Sequence, residues 1–413
     1  MKDDLIVDLF CGGGGTADGV RRALGRGPDI SVNHNMHAIA MHKANHPKTH
    51  HVCGDVFSVR PSRVVPTGTA VQLVTASPDC RHFSRAKGSP KVSPRIRTLA
   101  RSLIPWARQV QPAMMIVENV WEFTTWGPLM RGMGPEGPYW MPNPAKAGQY
   151  FQKFVRDLRE CGYEVDWKQL NAADFGAPTA RKRFFLVARR DGQPIEWPEP
   201  SHGPGRAKPW HTAAECIDWS IPMQSVFGRK KDLAEATQRR IAAGFMKYVL
   251  GIGAKPNAQV GAWVERMHST SRGERADVPL SAITAQPRNR FGLCHAKAGE
   301  TNEKRQQVIR WVERYYSHGG HSSDLELPLP TIRTRNCMAL IEVRIKDLQI
   351  VDILFRMFQP RELATAMGFE EDYILTGTKE QQVERIGNAV CPQVPEAIIR
   401  ANMSAIQPMQ EAA

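Results

Sequence analysis

The chain is predicted to be an α/β protein, a doubly wound, mostly parallel sheet with a second, smaller domain. Three observations carry this reading. Short apolar runs alternate with helical patterning through the first half. A glycine turn, Gly12-Gly13-Gly14-Gly15, stands where the first run meets the first helix, and from about Gln193 the texture changes to Pro-, Gly-, Trp- and His-rich sequence. Parallel strands covered by helices on both faces read as continuous apolar runs, and strand and helix in alternation select the doubly wound arrangement.

Leu5 to Phe10 is the first expected strand. The glycine turn then opens a helix to Leu24, and Ile30-Ser31-Val32 is a second strand before a helical stretch from His37. Val71 to Ala76 and Met114 to Val117 read as buried strands joined by a helix from Arg97 to Val110. A helix from Tyr150 to Cys161 and strands from Tyr163 to Leu170 and Arg183 to Ala188 complete the sheet. The expected division is a catalytic and cofactor-binding domain over residues 1–192, a second domain over 193–353, and a helical C-terminal segment, 354–413, that returns to the first. In the second domain Pro279 to Thr284 is echoed by Pro328 to Arg333, too briefly for a repeat architecture.

The 413 residues exceed what one ordinary core needs, and no apolar run is long enough to cross a bilayer. Lys and Arg outnumber Asp and Glu by 55 to 41, and the resulting +14 favours a polyanionic partner, nucleic acid first. The eight cysteines form no Cys-x-x-Cys pair or zinc-finger spacing, so free thiols and no metal are expected. The N-terminus lacks the build of a secretory leader, and a cytoplasmic protein is the corresponding expectation.

Three segments carry chemistry. Asp8-Leu9-Phe10-Cys11-Gly12-Gly13-Gly14-Gly15 ends a strand and opens a helix, where glycines admit a ligand to the backbone and the helix N-terminus favours negative charge. Pro78-Asp79-Cys80-Arg81-His82-Phe83-Ser84 follows a buried strand, at the end of the sheet where this architecture presents its site. Cys80 there is either a nucleophile or a small apolar plug. Glu118-Asn119-Val120 sets an acid at the next strand's end, as a catalytic group or a cap.

Taken in order, these segments resemble the cytosine-5 DNA methyltransferases. Asp8 to Gly14 is similar to that family's methionine-binding motif, Gly54-Asp55-Val56 to its adenine-binding turn, Pro78-x-Cys80-x-x-Phe83-Ser84 to its nucleophile loop and Glu118-Asn119-Val120 to its catalytic acid. Asn171 to Arg183 is similar to the segment that supplies the active-site arginines, and Pro360-Arg361-Glu362-Leu363, then Met367-Gly368-Phe369 and Gly387-Asn388-Ala389-Val390, complete the series.

The resemblance implies the S-adenosylmethionine-dependent methyltransferase fold and a DNA cytosine-5 methyltransferase. S-adenosyl-L-methionine would be held by Asp8, Phe10, Gly12, Gly14, His34, Asp55, Val56, Pro78, Asn388 and Val390. It gives Cys80, Glu118, Arg181 and Arg183 catalytic roles, the thiolate adding at carbon 6 of a flipped-out cytosine. Double-stranded DNA is the implied partner, read by the second domain as target-recognition domain; a monomer with no obligatory protein partner is expected. Four positions depart from the family pattern: Asp79 and Arg81 where Pro and Gln flank the cysteine, Thr179 where Gln is usual, and His34 where a ribose-binding Glu is usual. A catalytically weak DNA-binding relative, an RNA acceptor and a modified donor are the alternatives. The histidines His34, His37, His42, His46, His50 and His51 are read as a solvated helix face rather than a metal site.

Overall fold

The computed structural model describes residues 4–80, 83, 93–134, 137–248, 262–266, 291–295, 307–314, 322–334, 338–346 and 349–403. Arg81, Ser84 and the Pro279–Thr284 echo lie outside these residues. The chain forms two compact units: Met1–His211 with Thr331–Thr334 and Leu363–Ala413, and Thr212–Pro330 with Arg335–Glu362.

The first unit is built on a seven-stranded sheet. Its strands are β1 (Leu5–Leu9), β2 (Ile30–Asn33), β3 (His50–Cys53), β4 (Val71–Ala76), β5 (Met114–Asn119), β8 (Glu164–Asn171) and β9 (Lys182–Arg189), in the order β3-β2-β1-β4-β5-β9-β8. A separate ribbon pairs β6 (Leu129–Gly134) with β7 (Gly137–Pro142). Strands β1 to β5 are parallel, and β9 runs against both of its neighbours. The order reverses between β1 and β4, so the turns leaving their carboxyl ends flank one crevice, the place where such sheets bind ligands.

Helices α1 (Gly15–Leu24), α2 (Met36–Asn45), α3 (Pro61–Val64), α4 (Pro94–Arg97), α5 (Leu103–Gln109) and α6 (Gln149–Glu160) lie between these strands in the chain. In α6 the buried residues Phe151, Phe154, Val155 and Leu158 recur at helical spacing, and with Phe123 and Trp126 they join the core beside Val74, Val117, Phe184 and Leu186. Each such side chain contributes on the order of 1.5–3 kcal/mol on burial. After α8 (Pro360–Ala366) and α9 (Lys379–Asn388), α10 (Gln393–Asn402) packs on α1. The approach is close: a Cβ on Gly19 would fall 2.6 Å from the Pro392 carbonyl oxygen.

The structure corrects three details. The helix expected from Arg97 to Val110 is broken by a 3-10 turn over Leu99–Ser102, which separates α4 from α5. His50–Cys53 is an edge strand, although its sequence lacks an apolar run. Leu354, where helical patterning was expected to return, still lies in a strand of the second unit, and α8 begins at Pro360.

The second unit is an antiparallel sheet, β11 (Ala262–Arg266), β12 (Phe291–His295), β16 (Gln349–Met357), β15 (Met338–Lys346), β13 (Gln307–Arg314) and β14 (Ser322–Ser323) in that order, with β10 (Gln224–Ser225) on β16. Helix α7 (Glu235–Tyr248) sets Gly244 against the fully buried Trp311 of β13. On β15 the buried Glu342 accepts from Arg310 Nε at 2.6 Å and Arg344 Nε at 2.7 Å, and these ion pairs hold its carboxyl below the usual range.

Candidate active site

Strand β4 delivers the Cys80 loop to the carboxyl edge of the sheet. The loop is tied to the neighbouring strand: Asn119 Nδ2 donates to the Pro78 carbonyl at 3.0 Å, while Asn119 Oδ1 accepts from the Val120 amide at 2.9 Å. Phe83 N donates to the Cys80 carbonyl at 2.9 Å, closing the turn around the thiol. Asn119 thus ties the Cys80 loop to the end of β5, a tie that its place in the sequence does not reveal.

Glu118 is the penultimate residue of β5, and β9 pairs with β5 so that Glu118 faces Phe185 in register. Two residues earlier, Arg183 places Nε 3.4 Å from Glu118 Oε1. Burial raises the pKa of Glu118, while Arg183 and Arg181 pull it down. The Cys80 thiol is likewise pushed up, first by burial and then by the Glu118 charge, against the lowering influence of Arg183 and Arg181. Cys80, Glu118 and Arg183 therefore form one electrostatic cluster.

Arg181 is anchored to the backbone. It is buried, and its guanidinium donates to backbone carbonyls at Ile332 (3.0 Å), Gly387 (3.1 Å) and Ala389 (3.1 Å). Those bonds fasten the Thr331–Thr334 segment and the Gly387–Val390 turn to the start of β9. Arg183 is the arginine that places a nitrogen against the acid, while the Arg181 charge still acts on both Glu118 and Cys80.

The turn after β1 forms the other wall. Phe10 adopts φ 61° and Gly12 φ 51°, both in the left-handed region, and Gly14, at φ 87°, caps α1 without a side-chain bond. A left-handed Phe costs on the order of 1–2 kcal/mol and persists only where its surroundings over-determine it. The turn leaves backbone amides at the positive end of α1. His34 is exposed just past β2, and Asp55, just past β3, accepts from Phe57 N at 3.1 Å and pairs with Arg95; Val56 is buried behind it. From the C-terminal side Asn388 is exposed, whereas Val390 is buried with its carbonyl against Gly15. This edge could hold a nucleoside ligand with an anionic end.

Asp8 points elsewhere. Its Oδ1 accepts from Thr75 Oγ1 at 2.8 Å, its Oδ2 lies 3.9 Å from His42 Nε2, and burial raises its pKa to about 7. His42 in turn meets His51 at 2.8 Å and the His46 ring at 4.6 Å between centroids. His42 is 0% and His46 5% exposed, so the expected solvated face is wrong for these two. They are buried beneath the glycine turn and beside Tyr373, whose hydroxyl donates to the Gly13 carbonyl at 2.7 Å. Nothing in the local sequence signals that cover, because Tyr373 arrives from the other end of the chain. Among the described residues no group of three or more His, Cys, Asp or Glu could hold a metal ion.

Known proteins share this sequence pattern and fold. The chain is similar to the Type II methyltransferase M1.HphI of Haemophilus parahaemolyticus, 24% identical over 401 residues that cover 96% of this chain and 85% of that one. To M.SacI of Streptomyces achromogenes it is 23% identical, over 98% of this chain and 94% of that one. In fold it resembles a protein from an E. coli prophage described as a DNA modification methyltransferase, with TM-score 0.54 and 18% identity over 96% of this chain and 97% of that one. It also resembles a DNMT2 mutant of Spodoptera frugiperda, with TM-score 0.51 and 15% identity over 97% and 99%. A sequence model described as C-5 cytosine-specific DNA methylase matches residues 5–130 and 143–404. That match takes in both the turn after β1 and the C-terminal turn that closes on it, and the chain belongs to the C-5 cytosine-specific DNA methylase family.

Proposed function

We propose that the protein transfers a methyl group from S-adenosylmethionine to carbon 5 of a cytosine flipped out of double-stranded DNA, through a covalent Cys80 adduct. The observation that carries this reading is the cluster of Cys80, Glu118 and Arg183 at the carboxyl edge of β4 and β5, beside the glycine turn. The glycine turn and the amides of α1 suit the carboxylate of the donor, and His34, Asp55 and Asn388 suit its nucleoside part. When bound, S-adenosylmethionine supplies an electrophilic methyl group.

The chain's own residues do the rest. Glu118, kept protonated more readily by burial, donates to ring nitrogen 3, and Arg183 holds the acid and the base oxygen. Cys80 gives its proton to solvent water and adds its sulfur to carbon 6; the carbon 5–carbon 6 π pair shifts toward ring nitrogen 3, which takes the Glu118 proton, and carbon 5 becomes a nucleophilic enamine carbon able to take up the methyl group. A base then removes the carbon 5 proton, and the electron pair re-forms the ring double bond and expels the thiolate. Burial holds the thiol up, and the Arg183 and Arg181 charges act against it, favouring the thiolate that attacks.

Fluorine at carbon 5 cannot leave as a proton. Duplex DNA carrying 5-fluorocytosine should therefore trap the protein, with S-adenosylmethionine present, as a complex stable to a denaturing gel. Cys80→Ala should abolish trapping and turnover, and Glu118→Gln should slow both by about a hundredfold or more. Adduct formation by the Cys80→Ala protein would overturn the assignment. The site is found by base-resolution sequencing of modified cytosine in cells that express the protein.

A further inference from the structure

The family match stops at residue 130 and resumes at 143, and this gap holds nearly all of the β6–β7 ribbon. The ribbon is a two-stranded sheet on its own, and such a ribbon is marginal without a partner. It nevertheless exposes large apolar side chains: Met133 is 79%, Met130 40% and Trp140 38% exposed. In register, Arg131 faces Trp140 and Met133 faces Pro138, and the Arg131 guanidinium lies 4.4 Å over the Trp140 ring. Arg131 has no acidic partner among the described residues.

Position supplies the occupant. The chain leaves Glu118 at the carboxyl end of β5, makes a 3-10 turn over Trp121–Thr125, runs out and back through the ribbon, and enters α6. Asn143 N donates to the Pro128 carbonyl at 3.0 Å, so the ribbon is pinched off at its base, on the edge of the sheet that carries Cys80 and Glu118. The ribbon and its base carry Arg131 and Lys146 against Glu136, within a chain of net charge +14. A cation stacked on an indole, with thioethers projecting beyond, suits a surface that is both anionic and aromatic.

We propose that the β6–β7 ribbon is a wedge for the duplex that flanks the target cytosine, Met133 and Trp140 against nucleosides and Arg131 against a phosphate. It rests on the DNA reading above. Exposed apolar wedges on a thin element are a known means of unstacking a base step, and flipping a base requires that step to open.

The test uses the full chain and mixed-sequence duplex DNA, so it needs neither turnover nor a known site. Binding is measured by fluorescence anisotropy at several salt concentrations. Met133→Ala with Trp140→Ala should weaken binding about tenfold. Arg131→Ala should weaken it more modestly and reduce the salt slope by about one. A chain with residues 131–142 replaced by a short Gly-Ser turn should show the combined loss, and S-adenosylmethionine affinity by calorimetry should stay that of the parent, which reports an intact fold. Unchanged DNA affinity in all three proteins overturns the proposal whether or not the parent methylates DNA. So does a change confined to self-association in sedimentation, which would make the ribbon a protein-contact surface. Absence of modified cytosine in cells, by contrast, would overturn the methyltransfer reading and leave the binding result standing.

Discussion

His42 and His46 show how far a residue's surroundings can move it from its ordinary chemistry. Burial lowers His42 to about 4, and burial with the neighbouring His42 lowers His46 to about 3, against 6.5 for a free imidazole. Above 6.5 both folded and unfolded imidazoles are neutral and nothing is lost. As pH falls from 6.5 towards 4 the unfolded chain takes up protons that the fold refuses, so stability declines across that window. Asp8 acts in the opposite sense: raised to about 7, its carboxyl costs most above that pH and is relieved as pH drops towards 3.8. Two buried imidazoles outweigh one carboxyl, and the thermal midpoint should fall between pH 6.5 and 4. His46 Nε2 has no hydrogen-bond partner, so His46→Phe gives up no bond at that atom and removes one titrating site. The variant's midpoint should fall less steeply with pH than the parent's. Two parallel curves would mean that His46 titrates normally.

At the scale of elements the glycine turn is as much a packing device as a ligand wall. A Cβ on Gly15 would fall 2.0 Å from the Val390 carbonyl oxygen, backbone that cannot swing aside, whereas a Cβ on Gly25 meets nothing within 4 Å. Gly15→Ala should thus push the C-terminal turn off α1, costing about 1–3 kcal/mol in urea denaturation and weakening S-adenosylmethionine binding by about tenfold or more. Gly25→Ala, at φ 74°, should cost only the strain of a left-handed alanine, about 1–2 kcal/mol, and leave the affinity alone. Equal affinity losses in the two variants would refute the packing account. The same elements show what sequence can and cannot reveal. β1, β4 and β5 were legible because strands buried on both faces must be apolar throughout. Edge strand β3 was not, since His50 and Cys53 are exposed and the apolar signal is lost. The ribbon was missed because its glycines and prolines read as loop. In the site, sequence offered Arg181 and Arg183 as equals, and only the position of the Ile332, Gly387 and Ala389 carbonyls separates them.

At the scale of the whole molecule, the first unit is assembled from both ends of the chain. Residues from Leu363 onward belong with Met1–His211, and two features of the glycine turn need them: Tyr373 bonds to Gly13 and Val390 abuts Gly15. The donor site proposed above draws on both ends, with Phe10, Gly12, Gly14, His34 and Asp55 from one and Asn388 and Val390 from the other. A ligand that requires both ends stabilises their association by mass action, about 2.7 kcal/mol at a free concentration a hundred times Kd. S-adenosylmethionine and its demethylated product should each raise the thermal midpoint by several degrees. They should also slow proteolytic release of the segment after Ala366. Asp55→Ala, which removes a contact on the N-terminal side alone, should diminish both effects together. If the midpoint rose while release of the C-terminal segment stayed as fast as in the free protein, the ligand would be bound by the N-terminal strands alone, and Asn388 and Val390 would have no part in the pocket.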